Sequence, residues 1–365
     1  MKNIIITTVI IILIAFEGYG LPRFSLLTGS SCADCHVSPT GGGMRTQSGW
    51  NYGKNQIQMF KSESEKEISP YIEQNISLGI DFRTQYLAKF DSTSKKSDFQ
   101  NMTGAVYFNI ESSDYLQFYG HYDFSKSIWS GYAIANILPF NGYVKAGVFS
   151  PNFGIRLDDH TAYTRGGDAG ILTATQGFIY SPYYVESGVE IGFNFTDYLN
   201  FTASVGNPTQ SLFTKDPTYT SRIQLSPSMG EVNLLAGASY AMHRKGFPGN
   251  VTHVNMYGGF LGFNLADFTL LAEYDLGKNL VKKDSLSSAL MIEASYKITK
   301  GLDAVIRFDR FDSNTSAQKD EVSRIIIGAE FYPYSFIEVR PQYRINLEEP
   351  KIENNAFLVQ FHFWY

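Results

Sequence analysis

From Tyr71 to Tyr365, apolar and polar side chains alternate with a period of two in segment after segment, with no helical pattern of useful length between them. Val189, Ile191, Phe193 and Phe195 alternate with Glu190, Gly192, Asn194 and Thr196. Leu290, Ile292, Ala294, Tyr296 and Ile298 alternate with Met291, Glu293, Ser295 and Lys297. Phe357, Val359, Phe361, Phe363 and Tyr365 alternate with Leu358, Gln360, His362 and Trp364. Such segments predict about sixteen strands, an even number, as bacterial single-chain barrels have. The first is expected at 71–90, a neighbouring pair at 230–242 and 251–264, and the last at 354–365. Their connections alternate too. Tight turns such as Phe140-Asn141-Gly142 and Thr299-Lys300-Gly301 follow longer polar loops such as His243–Asn250 and Asp312–Asp320. Short turns on one side of a membrane and long loops on the other are the asymmetry of outer-membrane barrels.

A soluble sandwich, propeller or closed barrel would share the alternation but would hide one apolar face in a core. Here one face is apolar and aromatic, while the other carries Glu, Lys, Arg, Asp, Gln and Tyr, which suits a wet lumen better than packing. The 24 Tyr and 28 Phe against only 18% charged residues agree with lipid-facing walls and interfacial girdles. The net charge of -5, with no basic patch, argues against nucleic acid as a partner. The expected fold is therefore all-β. An antiparallel transmembrane β-barrel spans 69–365, and a small polar segment at 21–68 precedes it as a cap or plug on the periplasmic side or in the lumen. Residues 1–20 read as a secretory signal peptide: Lys2, an apolar run from Ile4 to Phe16, then Gly18 and Gly20 before Leu21. An uncleaved anchor helix is the rival reading.

Both cysteines fall in one string, Cys32-Ala33-Asp34-Cys35-His36. Two thiols three positions apart, followed at once by histidine, match covalent c-type haem attachment. Thioethers from Cys32 and Cys35 would hold the porphyrin, and His36 would be the proximal iron ligand. A chance match and a periplasmic disulfide compete with this reading. A structural zinc site would want a second ligand pair, and no other cysteine exists to supply it. For the distal side, Met44 is the candidate ligand, because the preceding Gly41-Gly42-Gly43 lets the backbone bend. Met59, His121 and His362 are weaker candidates. If Phe361 and Phe363 face lipid, His362 points into the lumen near the short-turn rim.

The approach Leu21-Pro22-Arg23-Phe24, then Thr28-Gly29-Ser30-Ser31-Cys32, resembles the start of fused monohaem cytochrome–porins of the bacterial outer membrane, among them the iron-oxidising ones. The resemblance covers the architecture of the whole chain, but its specific residues are few: Cys32, Cys35, His36 and Pro22 to Phe24. After the motif the chain reads Val37-Ser38-Pro39-Thr40-Gly41-Gly42-Gly43-Met44-Arg45, which departs from the iron-oxidising pattern, so the electron donor is not carried over. The terminal Phe361-His362-Phe363-Trp364-Tyr365 resembles the C-terminal assembly signature of outer-membrane barrels.

Some thirty residues, Pro151 to Tyr183, separate two strands, too many for an ordinary loop. General porins fold a loop into the lumen at this place, a resemblance of position only. The stretch holds Arg156, Asp158, Asp159, His160, Arg165 and Asp168, which could line a constriction and select ions. A solvated outer loop with internal ion pairs is the alternative.

These features support an outer-membrane electron-transfer protein with one covalent haem c, exchanging electrons between an extracellular donor or acceptor and a periplasmic c-type cytochrome. The rival is a porin for small solutes, with the N-terminal segment as cap or gate. An oxidoreductase, such as an iron oxidase, would need an open iron position. Membrane lipid is an expected partner, and a porin-like homotrimer is compatible with the barrel.

Overall fold

The computed structural model describes residues 23–61, 68–91, 95–157, 159, 161–167, 180–181, 183–209, 214–317, 321–348 and 354–365. The signal-peptide stretch 1–20 lies outside them, as do Asp158, His160 and Asp168.

Sixteen antiparallel strands close into a ring: β1 (Ile76–Asp91), β2 (Lys95–Ser113), β3 (Leu116–Asp123), β4 (Ile128–Leu138), β5 (Gly142–Phe149), β6 (Glu186–Thr196), β7 (Leu199–Pro208), β8 (Thr218–Leu225), β9 (Val232–Phe247), β10 (Asn250–Leu265), β11 (Phe268–Lys278), β12 (Leu286–Thr299), β13 (Leu302–Asp312), β14 (Glu321–Phe331), β15 (Ile337–Glu348) and β16 (Asn354–Trp364). Each pairs with its neighbours in sequence. β16 closes the ring on β1, with Asn354 opposite Asp91 and Trp364 opposite Asp81. Two short pieces, Tyr71–Glu73 and Ser228–Met229, add to the sheet at its rim. Closure leaves no open edge, the condition for a sheet in lipid.

The alternation sorts onto two faces as expected. On β1, Leu78, Ile80 and Phe82 lie outside, and Ser77, Asp81 and Gln85 lie inside. On β16, Phe357 and Phe363 are exposed to the lipid side while His362 and Trp364 are buried within, as the expected orientation of His362 requires. Among the described residues no helix is long and apolar enough to cross a membrane, so the strands do the crossing.

Two boundaries differ from expectation. The first strand is split, because Tyr71–Glu73 ends before β1 begins at Ile76. The stretch His243–Asn250, expected as a long polar loop, is instead the end of β9, a turn at Pro248-Gly249 and the first residue of β10. His243 and Lys245 point into the lumen, so their polarity marks the inner face and not a loop. A polar interior removes the usual link between polarity and loops.

The lumen carries a plug. Three short helices, α1 (Arg23–Thr28), α2 (Cys32–Cys35) and α3 (Gln47–Asn55), form a plug at the end with the short turns and the C-terminal residue. Leu26 is 1% exposed and packs on Leu235, Phe260, Leu271 and Met291 of the inner wall. Val37 and Met44 pack on Tyr119, Tyr132, Ile134, Tyr143 and Phe149 of the facing wall. Trp50 lies against Phe336 and Tyr365. The Met59 and Phe60 amides donate to the Tyr332 and Pro333 carbonyls, stitching the plug to one turn. The plug thus borrows its core from the barrel, as so small a segment must.

Candidate functional site

The string Cys32 to His36 is held by local rules. Ser31 caps α2, and its hydroxyl accepts from the Asp34 amide while the Asp34 carboxylate accepts from the Ser31 amide at 2.7 Å. This capping box fixes one helical turn, which places Cys32 and Cys35 on the same side. His36 leaves the turn with an extended backbone, and its amide donates to the Cys32 carbonyl at 2.8 Å. The chain then makes a loop through Gly41, Gly42 and Gly43, all at positive φ, and returns so that the Val37 amide meets the Met44 carbonyl at 3.1 Å. The three glycines serve close passage as well as bending. A Cβ on Gly41 would come 3.1 Å from Cys32 Sγ, and one on Gly42 would come 2.9 Å from Arg156 Nε. α3 closes on the motif through Gly49, where any Cβ would collide with the Cys35 carbonyl.

Cys32, Cys35 and His36 line one cavity of about 750 Å³ inside the barrel. Its walls are mixed. Phe24, Tyr52, Leu157, Leu271, Tyr332 and Trp364 supply apolar and aromatic surface; Arg23, Arg45, Arg83, Arg156, Arg307 and Arg340 supply cations; Asp34, Asp159, Glu293, Glu330 and Glu338 supply carboxylates. Both thiols are free. Burial pushes Cys32 up to about 11, against the pull of Arg222 and Arg156, and burial followed by the Asp34 charge raises Cys35. Burial also pushes Tyr52 up to about 12. Among the described residues, no group of three or more His, Cys, Asp and Glu is placed to hold a free metal ion.

The cavity wall is braced by a chain of ion pairs. Arg23 binds Glu330 and stands 3.7 Å from Asp303. Arg340 joins Glu330 at 3.3 Å to Glu338 at 2.8 Å. His362 stands between Glu338, 2.9 Å from Nδ1, and Asp81, 3.3 Å from Nε2. Burial opposes the charge of Arg23, yet Glu330 beside it holds the guanidinium ionised.

The remaining candidates separate. Met44 is 3% exposed in the wall cluster and does not line the cavity, so the glycine loop delivers its thioether to the barrel and away from His36. Met59 sits at the rim over Gly301 and does not line the cavity either. His362 does line it. His121 stacks on Tyr107 at 4.7 Å, in a smaller cavity of about 120 Å³ that His36 also touches.

The β5–β6 connection turns inward. Its described part carries Phe153, Ile155, Tyr163 and Arg165 into the lumen, all at most 4% exposed. Arg165 pairs with Glu273 at 2.8 Å, and Asp159 with Arg307 at 2.8 Å. Gly154, at φ 60, passes so close to the Glu273 carboxylate that no side chain fits. Phe153, Tyr163, Tyr180 and Tyr184 complete an apolar cluster with Ala241, Val254, Met256, Ala289 and Phe311. The stretch therefore packs inside the barrel instead of lying solvated outside it. Arg156, half-buried, stands where three cavities meet. Arg222 of β8 was not singled out by sequence, although its inward register with Thr218, Thr220 and Gln224 was readable.

No family model matches the chain, and no curated protein does. Solved structures do. OmpF of Salmonella typhi, in complex with daunomycin, aligns over 82% of this chain and 100% of its own, with a TM-score of 0.59 at 13% identity. OprB of Pseudomonas putida covers 80% and 94%, with 0.63 at 9%. The outer-membrane channel DcaP of Acinetobacter baumannii covers 82% and 100%, with 0.58 at 11%. The chain has the fold of a porin-like barrel.

Proposed function

We propose that this chain is an outer-membrane electron-transfer protein in which one haem c, tethered through Cys32 and Cys35 with His36 as proximal ligand, occupies the 750 Å³ cavity of the plug. The carrying observation is convergence: both thiols and the imidazole open onto one large cavity whose wall carries aromatic rings, six arginines and five carboxylates. The volume falls within the roughly 300–1,000 Å³ of cofactor sites. The donor set suits the group, since two thiols and an adjacent imidazole are what covalent attachment and ligation require. Arg45 offers a cation to its carboxylates, whereas Arg23 and Arg340 are already paired with Glu330 and Glu338. When bound, the haem supplies a one-electron couple. The chain's own part is to fix the attachment turn through the Ser31–Asp34 box, to exclude bulk water with the barrel wall, and to hold the plug in place.

The short turns and the plug mark the periplasmic end in this reading. A periplasmic c-type cytochrome would meet the site there, and an extracellular donor or acceptor would use the opposite end. Of the other sequence candidates, His362 lines the cavity, but its two ring nitrogens face the Glu338 and Asp81 carboxylates, so it braces the wall. The test is a reduced-minus-oxidised spectrum of the denatured full chain beside a haem-stained gel, from cells that mature c-type cytochromes. The reading expects a c-type signal that Cys32→Ala with Cys35→Ala abolishes; absence of signal from the natural sequence overturns it.

A second reading has specific support. The fold is that of channels, and the plug is attached to the wall by side-chain contacts that a displacement could break. In this reading the protein is a porin whose plug gates small solutes, with or without haem. Bilayer conductance separates the two. Large currents from the intact chain favour transport, whereas currents seen only after deletion of 21–68 leave the intact barrel closed. A homotrimer belongs with either reading and is read directly from the mass of the detergent complex.

A further inference from the structure

We propose that a small inorganic oxyanion binds between Arg156 and Arg222, in the polar cleft between the plug and the wall of β6 to β9. The inference is independent of haem. The cleft, about 160 Å³, is lined by both arginines together with Asn152, Asn200, Gln224 and Thr40. At about 30 Å³ per water, that is room for an anion of a few heavy atoms with some of its hydration.

The charge balance is the argument. Six of the lumenal arginines have carboxylate partners: Arg23 with Glu330, Arg83 with Asp81, Arg165 with Glu273, Arg307 with Asp159, Arg324 with Asp309 and Arg340 with Glu338. Among the described residues, Arg156 and Arg222 form no ion pair. Arg222 is 7% exposed, so its charge cannot be left to solvent. Its Nε donates to the Gly154 carbonyl at 2.8 Å and its guanidinium lies 4.5 Å over the Phe260 ring. Those contacts fix the fork and leave its terminal amino groups uncommitted to any carboxylate.

The rest of the lining suits an anion. Five side-chain amides and four hydroxyls line it beside Ala33, Pro39, Ile155 and Leu235, and its one acid, Asp197, sits in the β6–β7 turn. The Gln224 side chain is 6% exposed and its amide oxygen has no hydrogen-bond partner, so the amide can present its NH₂ end to a ligand. Two guanidinium forks favour an oxyanion over a halide, because parallel N–H groups match two oxygens of one ion.

The experiment uses the full chain in detergent and inorganic phosphate as the probe. The thermal midpoint is followed as phosphate replaces chloride at constant ionic strength. The proposal expects a saturable rise in the natural protein, its loss in Arg156→Gln and in Arg222→Gln, and its retention in Arg310→Gln, whose guanidinium pairs with Glu321 away from the cleft. Should Arg222→Gln fail to fold, Arg156→Gln decides alone, since that side chain is half-buried and has no ion pair to lose among the described residues. An unsaturable rise, no rise, or a rise that survives Arg156→Gln overturns the proposal.

Discussion

Replacing Leu26 by Ala should loosen the plug without unfolding the barrel. Leu26 is 1% exposed and is the one plug residue in a cluster whose other buried members, Ile155, Leu235, Phe260, Leu271 and Met291, belong to the wall and the inward loop. Gly262 of β10 makes room for it, since a Cβ there would come 2.8 Å from Leu26 Cδ1. Truncating so enclosed a leucine costs about 2–5 kcal/mol, the spread set by how far the site collapses. At about 1.4 kcal/mol per factor of ten, docking weakens by at least ~30-fold. Trypsin cleavage after Arg45 and Lys54 reports this, because proteolysis in the fast-exchange regime follows the population of the open form. The expected result is a cleavage rate up by ~30-fold or more, with the barrel fragment intact. Gln56→Ala, at an exposed position, is the control and should change the rate by no more than about twofold. An unchanged rate in Leu26→Ala would refute the packing argument, since no buried leucine can be removed from a filled site at no cost.

Gly49→Val should also free the plug, by driving a side chain into the Cys35 carbonyl, and the same cleavage assay reads it against Leu26→Ala. Glu273→Leu takes the nearer carboxylate, at 2.8 Å, from the Arg165 guanidinium and leaves it only Asp275 at 3.8 Å, so it should cost about 3 kcal/mol in denaturant melts. Alkylation of Cys32 in the folded, haem-free protein should stay slow through pH 9 and accelerate toward about 11, because the folded thiol binds its proton more tightly than the unfolded one. By the same linkage, the thiol's contribution to stability is full below the ordinary thiol value of 9.0 and is lost as pH rises through about 11. Equal alkylation profiles for folded and denatured chains would contradict the burial of this thiol.

The barrel was legible because its signal is local and repeated. A period-two pattern on one chain tells each residue which face it takes, and Phe363 outside with His362 inside needed no more than that. The Cys32–His36 string stands out in the sequence because five consecutive residues carry it. Where the polar face was itself the lumen, the reading failed: His243 and Lys245 looked like a loop because hydropathy cannot tell a wet interior from solvent. Met44 shows the other limit. Its place after three glycines suggested a ligand role, but the direction of a flexible bend depends on what lies beside it, and the thioether packs with Tyr119 and Ile134. The pairing of Arg165 with Glu273, 108 residues apart, and the unmatched charges of Arg156 and Arg222 depend on which strands the ring brings face to face. Sequence alone determined which side of the wall each residue faces; only closure of the ring decided which of the inward residues meet.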